Sequence, residues 1–197
     1  MKDTRNRLFL LMKNYAYRYS REKFTLTSGK QSHHYFNCKE ILLYPERLSL
    51  LVDFLVDIHI PSVSQTVESI GGLTMGADPI CYSVSLNYYN KGKIVYPLII
   101  RKESKKHGTR KEIEGAITNV KTCLVVDDVI TTGGSTLKAV DALRRAGIQV
   151  EQGICLLDRE EGGFERLLSE GVTMYPVFKK SEFIEKGSLL DEELDMY

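Results

Sequence analysis

The sequence lacks a large net charge of either sign, a long apolar run and a paired-cysteine motif. Its 27 Lys and Arg residues nearly balance 26 Asp and Glu residues, for a formal net charge of +1. Such a chain has no global field that would recruit nucleic acid or a membrane, so any anion site must be built locally. The apolar island Leu8–Met12 is too short for a secretory or membrane segment. We therefore expect a cytoplasmic protein that binds neither nucleic acid nor membrane.

The four cysteines are expected to be reduced and structural. No CxxC spacing joins them, and Cys123 and Cys155 lie in apolar, strand-like runs where a free cysteine behaves as a small hydrophobic residue. The length of 197 residues, with 43% hydrophobic and 27% charged residues, is typical of one globular domain. We therefore predict a single domain over residues 1–197.

Strand-like and helix-like segments alternate along most of the chain. Short apolar runs predict strands at residues 66–70, 94–100, 122–127 and 150–157. Helical spacing predicts helices from Leu8 to Tyr19, over 75–89, and over 45–60 with a stop at Pro61. A hairpin is predicted over 24–38, and an exposed loop over 103–115. This alternation indicates an α/β fold with a parallel sheet, whose ligands bind beyond the carboxyl ends of the strands.

The segment Cys123–Ser135, CLVVDDVITTGGS, combines a buried strand, two acids and a glycine-rich loop. Helical spacing begins directly after it, at residues 137–143. A glycine-rich loop that enters a helix presents unpaired backbone N–H groups, so it can bind a phosphate. Asp127 and Asp128 would repel that phosphate and are expected to face sugar hydroxyls or a Mg²⁺ ion. Together these features indicate a site for a phosphorylated sugar.

A simpler interpretation is a strand that ends in a turn with an acidic helix cap. The segment is not a Walker A loop, because no Lys follows the glycines, and it lacks the GxGxxG pattern of dinucleotide sites. The order of apolar run, acid pair and hydroxyl-rich glycine loop favours the phosphate site. In this order VVDDVITTGGS resembles the motif with which type I phosphoribosyltransferases bind 5-phosphoribosyl 1-diphosphate (PRPP).

A strongly basic segment follows the strand predicted at 94–100. Residues 101–111 contain six Lys and Arg side chains and one His. Such a run is either a solvated surface or a site for a polyanion. Cationic donors beside a PRPP site would stabilise the departing diphosphate, and a loop that closes would exclude water. We therefore favour a role in catalysis.

Four motifs together resemble the orotate phosphoribosyltransferase family: FTLTSGK…YFN, RKESKKHGTRKEIEG, VVDDVITTGGS and LLDREEGG. The resemblance covers most of residues 20–165. It implies a parallel-sheet core with helices on both faces, and a small base-binding hood formed by about residues 1–40 and part of the C-terminus. It also implies Mg²⁺ dependence, transfer of phosphoribosyl from PRPP to orotate, and a homodimer in which the 101–115 loop acts in the neighbouring subunit's site.

The resemblance assigns roles residue by residue. The residues implied in catalysis are Lys102, Lys105, His107, Asp127 and Asp128. The PRPP contacts add Arg101, Val129, Ile130, Thr131, Thr132, Gly133, Gly134 and Ser135 to those five. The orotate contacts are Tyr35, Phe36, Thr131 and Arg159, with Arg159 taking the carboxylate of the base. Asp127 and Asp128 would reach Mg²⁺ indirectly, through ribose hydroxyls or water.

Two departures from the family pattern put substrate affinity in doubt. Thr27 stands where some members have a Lys that binds PRPP, and Thr74 with Met75 replaces a Tyr-Lys pair. Two alternatives remain open: a phosphoribosyltransferase for another base, and a PRPP-sensing regulator without chemistry. Tyr35 and Phe36 could equally be core aromatics, and Arg159 could form only a salt bridge. His33 and His34 are predicted to be surface or turn residues.

Overall fold

The computed structural model describes residues 2–25, 31–102 and 111–184, and a six-stranded sheet forms its centre. The sheet has the order β5-β4-β3-β6-β7-β8, and every pairing is parallel except that between β4 and β5. The strands are β3 (Ser69–Leu73), β4 (Tyr96–Ile100), β5 (Ile113–Glu114), β6 (Leu124–Ile130), β7 (Gln152–Asp158) and β8 (Thr173–Lys179). A separate antiparallel hairpin consists of β1 (Tyr17–Thr25) and β2 (Gln31–Phe36).

Besides a helical segment at 180–184, seven α-helices surround this sheet among the described residues. They are α1 (Lys2–Leu11), α2 (Lys39–Leu42), α3 (Pro45–Phe54), α4 (Ile60–Val63), α5 (Asp78–Asn90), α6 (Gly134–Arg145) and α7 (Gly163–Ser169). Single π-helical segments continue α1 through Met12–Ala16 and join α3 to α4 through Leu55–His59, and a 3₁₀ turn covers Ile117–Asn119.

The two faces of the sheet carry different helices. Val126 points into a core formed with α1, α3 and α5, whereas its neighbour Val125 points into a core formed with α6 and α7. Successive strand residues face opposite sides of a sheet, so a strand covered on both sides must be apolar at every position. The predicted α/β fold with helices on both faces is confirmed.

The strand order creates a natural ligand site. The chain passes from β3 outward to β4 and then returns to place β6 on the other side of β3. The loops after β3 and β6 therefore diverge to opposite faces and leave a crevice at the carboxyl ends of these strands. The phosphate-loop motif follows β6, so the fold brings it to this crevice.

Several boundaries differ from the sequence prediction. The N-terminal helix ends at Ala16, and Tyr19 lies in β1. The helical path continues past Pro61 to Val63, because Pro61 sits in the first turn of α4, where its missing N–H is tolerated. β3 runs through Gly72, where the Cβ of any other residue would collide with the carbonyl oxygen of Val126.

Other elements were not predicted or were assigned differently. β8 contains Pro176, which argues against a central strand, but β8 is an edge strand and tolerates it. The short helix α7 was also missed. The end of the predicted 103–115 loop forms β5, with Ile113 buried, while residues 103–110 lie outside the described part of the chain.

Two composition-based expectations can be compared with the structure. Cys38, Cys81, Cys123 and Cys155 are all free and buried, as predicted. Within residues 2–25, 31–102 and 111–184, none of the helices has the length and apolar character needed to cross a membrane.

Candidate active site

The phosphate loop joins the end of β6 to the start of α6. β6 extends through Val129 and Ile130, so these two residues belong to the strand and not to the loop. Gly133 adopts a φ of 74°, a left-handed conformation that glycine accepts without strain, and α6 begins at Gly134. The first N–H groups of α6 have no carbonyl partner within the helix and point out of its positive end. An open cleft lies at this point, lined among others by Thr131, Thr132, Gly133, Gly134 and Ser135.

Asp127, the first residue of the acid pair, also lines this cleft. Asp127 is 6% exposed and accepts a hydrogen bond from Thr136 Oγ1 at 2.8 Å and one from the Asp128 N–H at 3.0 Å. Burial and the neighbouring Asp128 carboxylate raise the pKa of Asp127 to about 7. Asp128 is half-buried and accepts a bond from the Val129 N–H at 2.8 Å. A cation or a hydroxyl donor at this pair would relieve the repulsion between the two carboxylates.

The loop after β3 packs directly against the acid pair. A Cβ on Gly76 would lie 2.5 Å from Oδ1 of Asp128, so this backbone approaches the carboxylate as closely as glycine allows. The Thr74 N–H bonds the carbonyl of Ile100 at 2.8 Å, and the Thr74–Met75 peptide bond is cis. The Thr74 hydroxyl donates to Asp78 at 2.7 Å, whereas Met75 is exposed to solvent.

Arg159 directly follows β7 and is linked through its backbone to the end of β6. Its backbone N–H donates to the carbonyl of Ile130 at 2.9 Å, which joins the ends of β6 and β7. The side chain is 5% exposed, and its Nε lies 3.1 Å from Glu161 Oε1. Nη2 is buried without a hydrogen-bond partner among the described residues. The predicted salt bridge is therefore present, and part of the guanidinium fork is still available to an anion.

The hairpin separates the two aromatic residues of the predicted base site. Phe36 is 7% exposed and packs against Tyr17 and Phe183, with ring centroids 5.0 Å and 5.3 Å away. Tyr35 is 37% exposed, and its ring lies 5.4 Å from that of Phe24. Consecutive residues of β2 face opposite sides of the hairpin. The side chains of Tyr35 and Phe36 are thus not adjacent.

His34 lies on the same side of β2 as Phe36. Its Nδ1 and the hydroxyl of Tyr17 are 2.8 Å apart in a hydrogen bond, and the imidazole is half-buried. Burial lowers the pKa of His34, and the positive charges of Lys180 and Arg159 lower it further. His34 is therefore a half-buried strand residue within electrostatic range of Arg159, where the sequence predicted a surface or turn residue.

The basic segment is only partly described. Arg101 forms a two-pronged contact with Glu114 Oε1, at 3.0 Å from Nε and 2.7 Å from Nη2, so β5 holds its side chain. Lys102 is exposed. Lys105 and His107 lie outside the described residues, as does Thr27. Their predicted roles stay predictions.

Two residues of the site were not singled out by the sequence. Thr136 binds Asp127 across the loop, and its hydroxyl directly after TTGGS was an available signal. Gly76 approaches Asp128, and its position between a strand and a helix was a weaker signal. The contacts of Thr136 and Gly76 with Asp127 and Asp128 depend on tertiary packing, which no local sequence pattern predicts.

Comparison with known proteins defines the class. Residues 79–172 match the family described as the phosphoribosyl transferase domain. The fold is similar to that of the Mycobacterium tuberculosis orotate phosphoribosyltransferase in complex with PRPP. The TM-score is 0.71, with 25% identity over 91% of this chain and 98% of that chain. A parallel α/β core with a phosphate loop at its crevice thus defines a phosphoribosyltransferase.

Two relatives narrow the class to one family. The orotate phosphoribosyltransferase of Leptospira biflexa is 59% identical over 179 residues, or 91% of this chain and 97% of the relative. The orotate phosphoribosyltransferase of Aquifex aeolicus is 38% identical over 163 residues, or 82% and 86% of the two chains. The chain belongs to the orotate phosphoribosyltransferase family, which confirms the resemblance inferred from the four motifs.

Proposed function

We propose that the protein transfers the 5-phosphoribosyl group of PRPP to N1 of orotate, giving orotidine 5′-phosphate and diphosphate. One observation carries this proposal beyond the family relationship. The Arg159 N–H donates to the carbonyl of Ile130, the last residue of β6 before the phosphate loop, and the guanidinium of Arg159 is buried. A planar fork suits the carboxylate of orotate, which uncharged bases lack.

In the proposed reaction, N1 of orotate loses its proton to solvent and forms a bond to C1 of the ribose. The bond from C1 to the diphosphate oxygen breaks, and the diphosphate leaves with that electron pair. The transition state is oxocarbenium-like, with positive charge on the ribose. Thr131 to Ser135 would bind the 5′-phosphate, and Asp127 with Asp128 would hold the ribose hydroxyls. Lys102, Lys105 and His107, with Arg101, would stabilise the departing diphosphate electrostatically.

Mg²⁺ is part of the proposal, and the donor set at the acid pair fits it. Hard cations prefer carboxylate oxygens, and the acid pair presents two carboxylates in a partly buried setting. The hydrogen bonds already made to Asp127 favour contact through ribose hydroxyls or water. When bound, Mg²⁺ would neutralise charge on the diphosphate.

We propose that about residues 1–40 and part of the C-terminus form a hood over the base. Phe183, in the helical segment at 180–184, packs on Phe36 and Tyr17 of the hairpin, which ties the two parts together. Tyr35 is the more exposed member of the predicted aromatic pair and is available for contact with orotate. Phe36 would then act by holding β2 in place.

We also propose a homodimer, with a second copy of the chain covering an apolar face of α5 and β4. Tyr82, Leu86, Tyr89 and Ile94 are each more than half exposed on this face. An exposed aromatic and aliphatic patch of this kind is typical of an interface. The start of β4 lines this patch, and the 101–115 loop proposed to act in the partner's site follows β4 in the sequence.

A cytoplasmic location completes the proposal. Four free, buried cysteines suit a reducing compartment, where thiols persist.

The proposed reaction can be tested with purified protein, PRPP, Mg²⁺ and orotate. Orotate absorbance should fall, and diphosphate should appear in equal amount. A protein that leaves orotate unchanged at every concentration would contradict the proposal.

A further inference from the structure

We propose that Arg166 is an additional ligand of the 5′-phosphate, contributed by α7 and not by the phosphate-loop motif. The inference rests on the proposed function, because it assigns a residue to the phosphate end of the same substrate. It concerns a side chain that the four sequence motifs leave aside.

The start of α7 packs tightly against the phosphate loop. A Cβ on Gly163 would lie 2.5 Å from both the Thr131 carbonyl oxygen and Ile130 Cγ2, and 2.9 Å from the backbone nitrogen of Gly133. A Cβ on Gly133 would in turn lie 3.0 Å from the Gly163 carbonyl oxygen. Backbone meets backbone here, so the position of α7 is fixed relative to the loop.

This contact brings the guanidinium of Arg166 to the mouth of the cleft. Its Nη1 donates to the Thr132 carbonyl at 3.3 Å and lies 3.7 Å from the position of a Cβ on Gly134. Gly134 opens α6, where the unpaired N–H groups point outward. The Thr132 contact uses one N–H, so others of the five in the guanidinium face the cleft or solvent.

The charges around the cleft explain why a cation matters there. Thr131 to Ser135 supply only N–H and hydroxyl donors, which are neutral. Asp127, Asp141 and Glu170 line the same cleft and oppose a dianionic phosphate, and Lys138 is the other cationic side chain that lines it. A guanidinium can bind two phosphate oxygens at once, so Arg166 offsets the acidic side chains where the phosphate sits.

The test uses ribose 5-phosphate as a probe, since its binding requires no turnover. We compare Arg166→Gln, Arg166→Lys and the control Lys121→Gln, an exposed cation shortly before β6, at the end of the strands opposite to the cleft. Calorimetry should show ribose 5-phosphate binding weakened roughly tenfold to a hundredfold by Arg166→Gln, with an intermediate loss for Arg166→Lys. The KM for PRPP should rise in parallel, while the KM for orotate stays unchanged.

Binding of ribose 5-phosphate to Arg166→Gln within about twofold of wild type would overturn the assignment, as would an equal effect of Lys121→Gln. A wild-type protein that fails to bind the probe would overturn it too. A third outcome separates the two proposals. If Arg166→Gln loses ribose 5-phosphate binding but the wild-type protein does not turn over orotate, the Arg166 site is supported and the proposed reaction is contradicted. The two proposals can therefore fail separately.

Discussion

Thr136 donates a hydrogen bond of 2.8 Å to Oδ2 of Asp127, and both side chains are buried. The bond joins the middle of β6 to the first turn of α6, on either side of the phosphate loop. It links Asp127, the proposed ribose ligand, to the helix that begins at the proposed phosphate loop. It also favours the ionised form of Asp127 against burial and the nearby Asp128, both of which favour the protonated form.

Replacing Thr136 by Val should remove this bond and leave a carboxylate oxygen unsatisfied. We expect the free energy of unfolding to fall by about 1 to 3 kcal/mol. The pKa of Asp127 should rise further, so the acidic limb of the pH dependence of kcat/KM should move to higher pH. Thr136→Ser keeps the hydroxyl and should retain both properties. Equal stability and equal pH profiles for the two variants would contradict this role.

Asp127→Asn should abolish activity and change how stability depends on pH. The pKa of Asp127 in the folded protein is raised to about 7, above its value in the unfolded chain. Protonated Asp127 therefore contributes stability that is fully present below the pKa of the unfolded chain and is lost as the pH rises through about 7. Asn does not titrate. Thermal unfolding at about pH 5 and about pH 8 should therefore show the variant gaining stability relative to wild type at the higher pH. A constant difference would contradict a raised pKa.

Gly76→Ala should impair catalysis more than folding. Its new methyl would lie 2.5 Å from Asp128 Oδ1, so either the carboxylate or the loop must move. We expect kcat/KM for PRPP to fall roughly a hundredfold, as displaced catalytic groups do. Gly147→Ala provides the contrast, because Gly147 has a φ of 82° and open space around it. That change should cost about 1 kcal/mol of stability and leave the kinetics intact.

Arg159→Lys should weaken orotate binding selectively. Lys keeps the charge beside Glu161 but loses the planar fork, so the KM for orotate should rise roughly tenfold or more while the KM for PRPP stays similar. Arg47→Lys is the matched control. The guanidinium of Arg47 stacks on Tyr15, 3.6 Å from the ring centroid, and its contacts include none of the residues assigned to orotate. An unchanged KM for orotate in Arg159→Lys would remove Arg159 from the base site.

Leu86→Asp should break the proposed dimer. Sedimentation of wild type should give twice the 22.4 kDa of one chain, and the variant should sediment as a monomer with little activity. Leu168→Asp tests for a general effect of the charge, because Leu168 and Leu86 are both 61% exposed. If Leu86→Asp remains dimeric, a different surface forms the interface.

The sequence was most informative where one local pattern determined the structure. The run from Leu124 to Asp128 predicted a buried strand, and the glycines after it predicted the phosphate loop. These features depend on backbone geometry that nearby residues dictate. The family relationship was likewise predictable from four motifs.

Tertiary contacts determined the features that were missed. Pro176 reads as a strand breaker until β8 is known to be an edge strand, and Gly72 reads as a turn until Val126 is placed beside it. Nothing local marks Arg166, because only the packing of Gly163 on the loop aims it at the cleft. The split between Tyr35 and Phe36 follows from strand alternation and was accessible in the sequence.

The identity of the base is the central claim, and a competition experiment tests it most directly. Equal concentrations of orotate, uracil, hypoxanthine and adenine are incubated with the protein, Mg²⁺ and limiting PRPP, and the nucleotide products are separated and quantified. We predict orotidine 5′-phosphate as the dominant product. A larger yield of any other nucleotide would contradict the assignment of orotate as the acceptor.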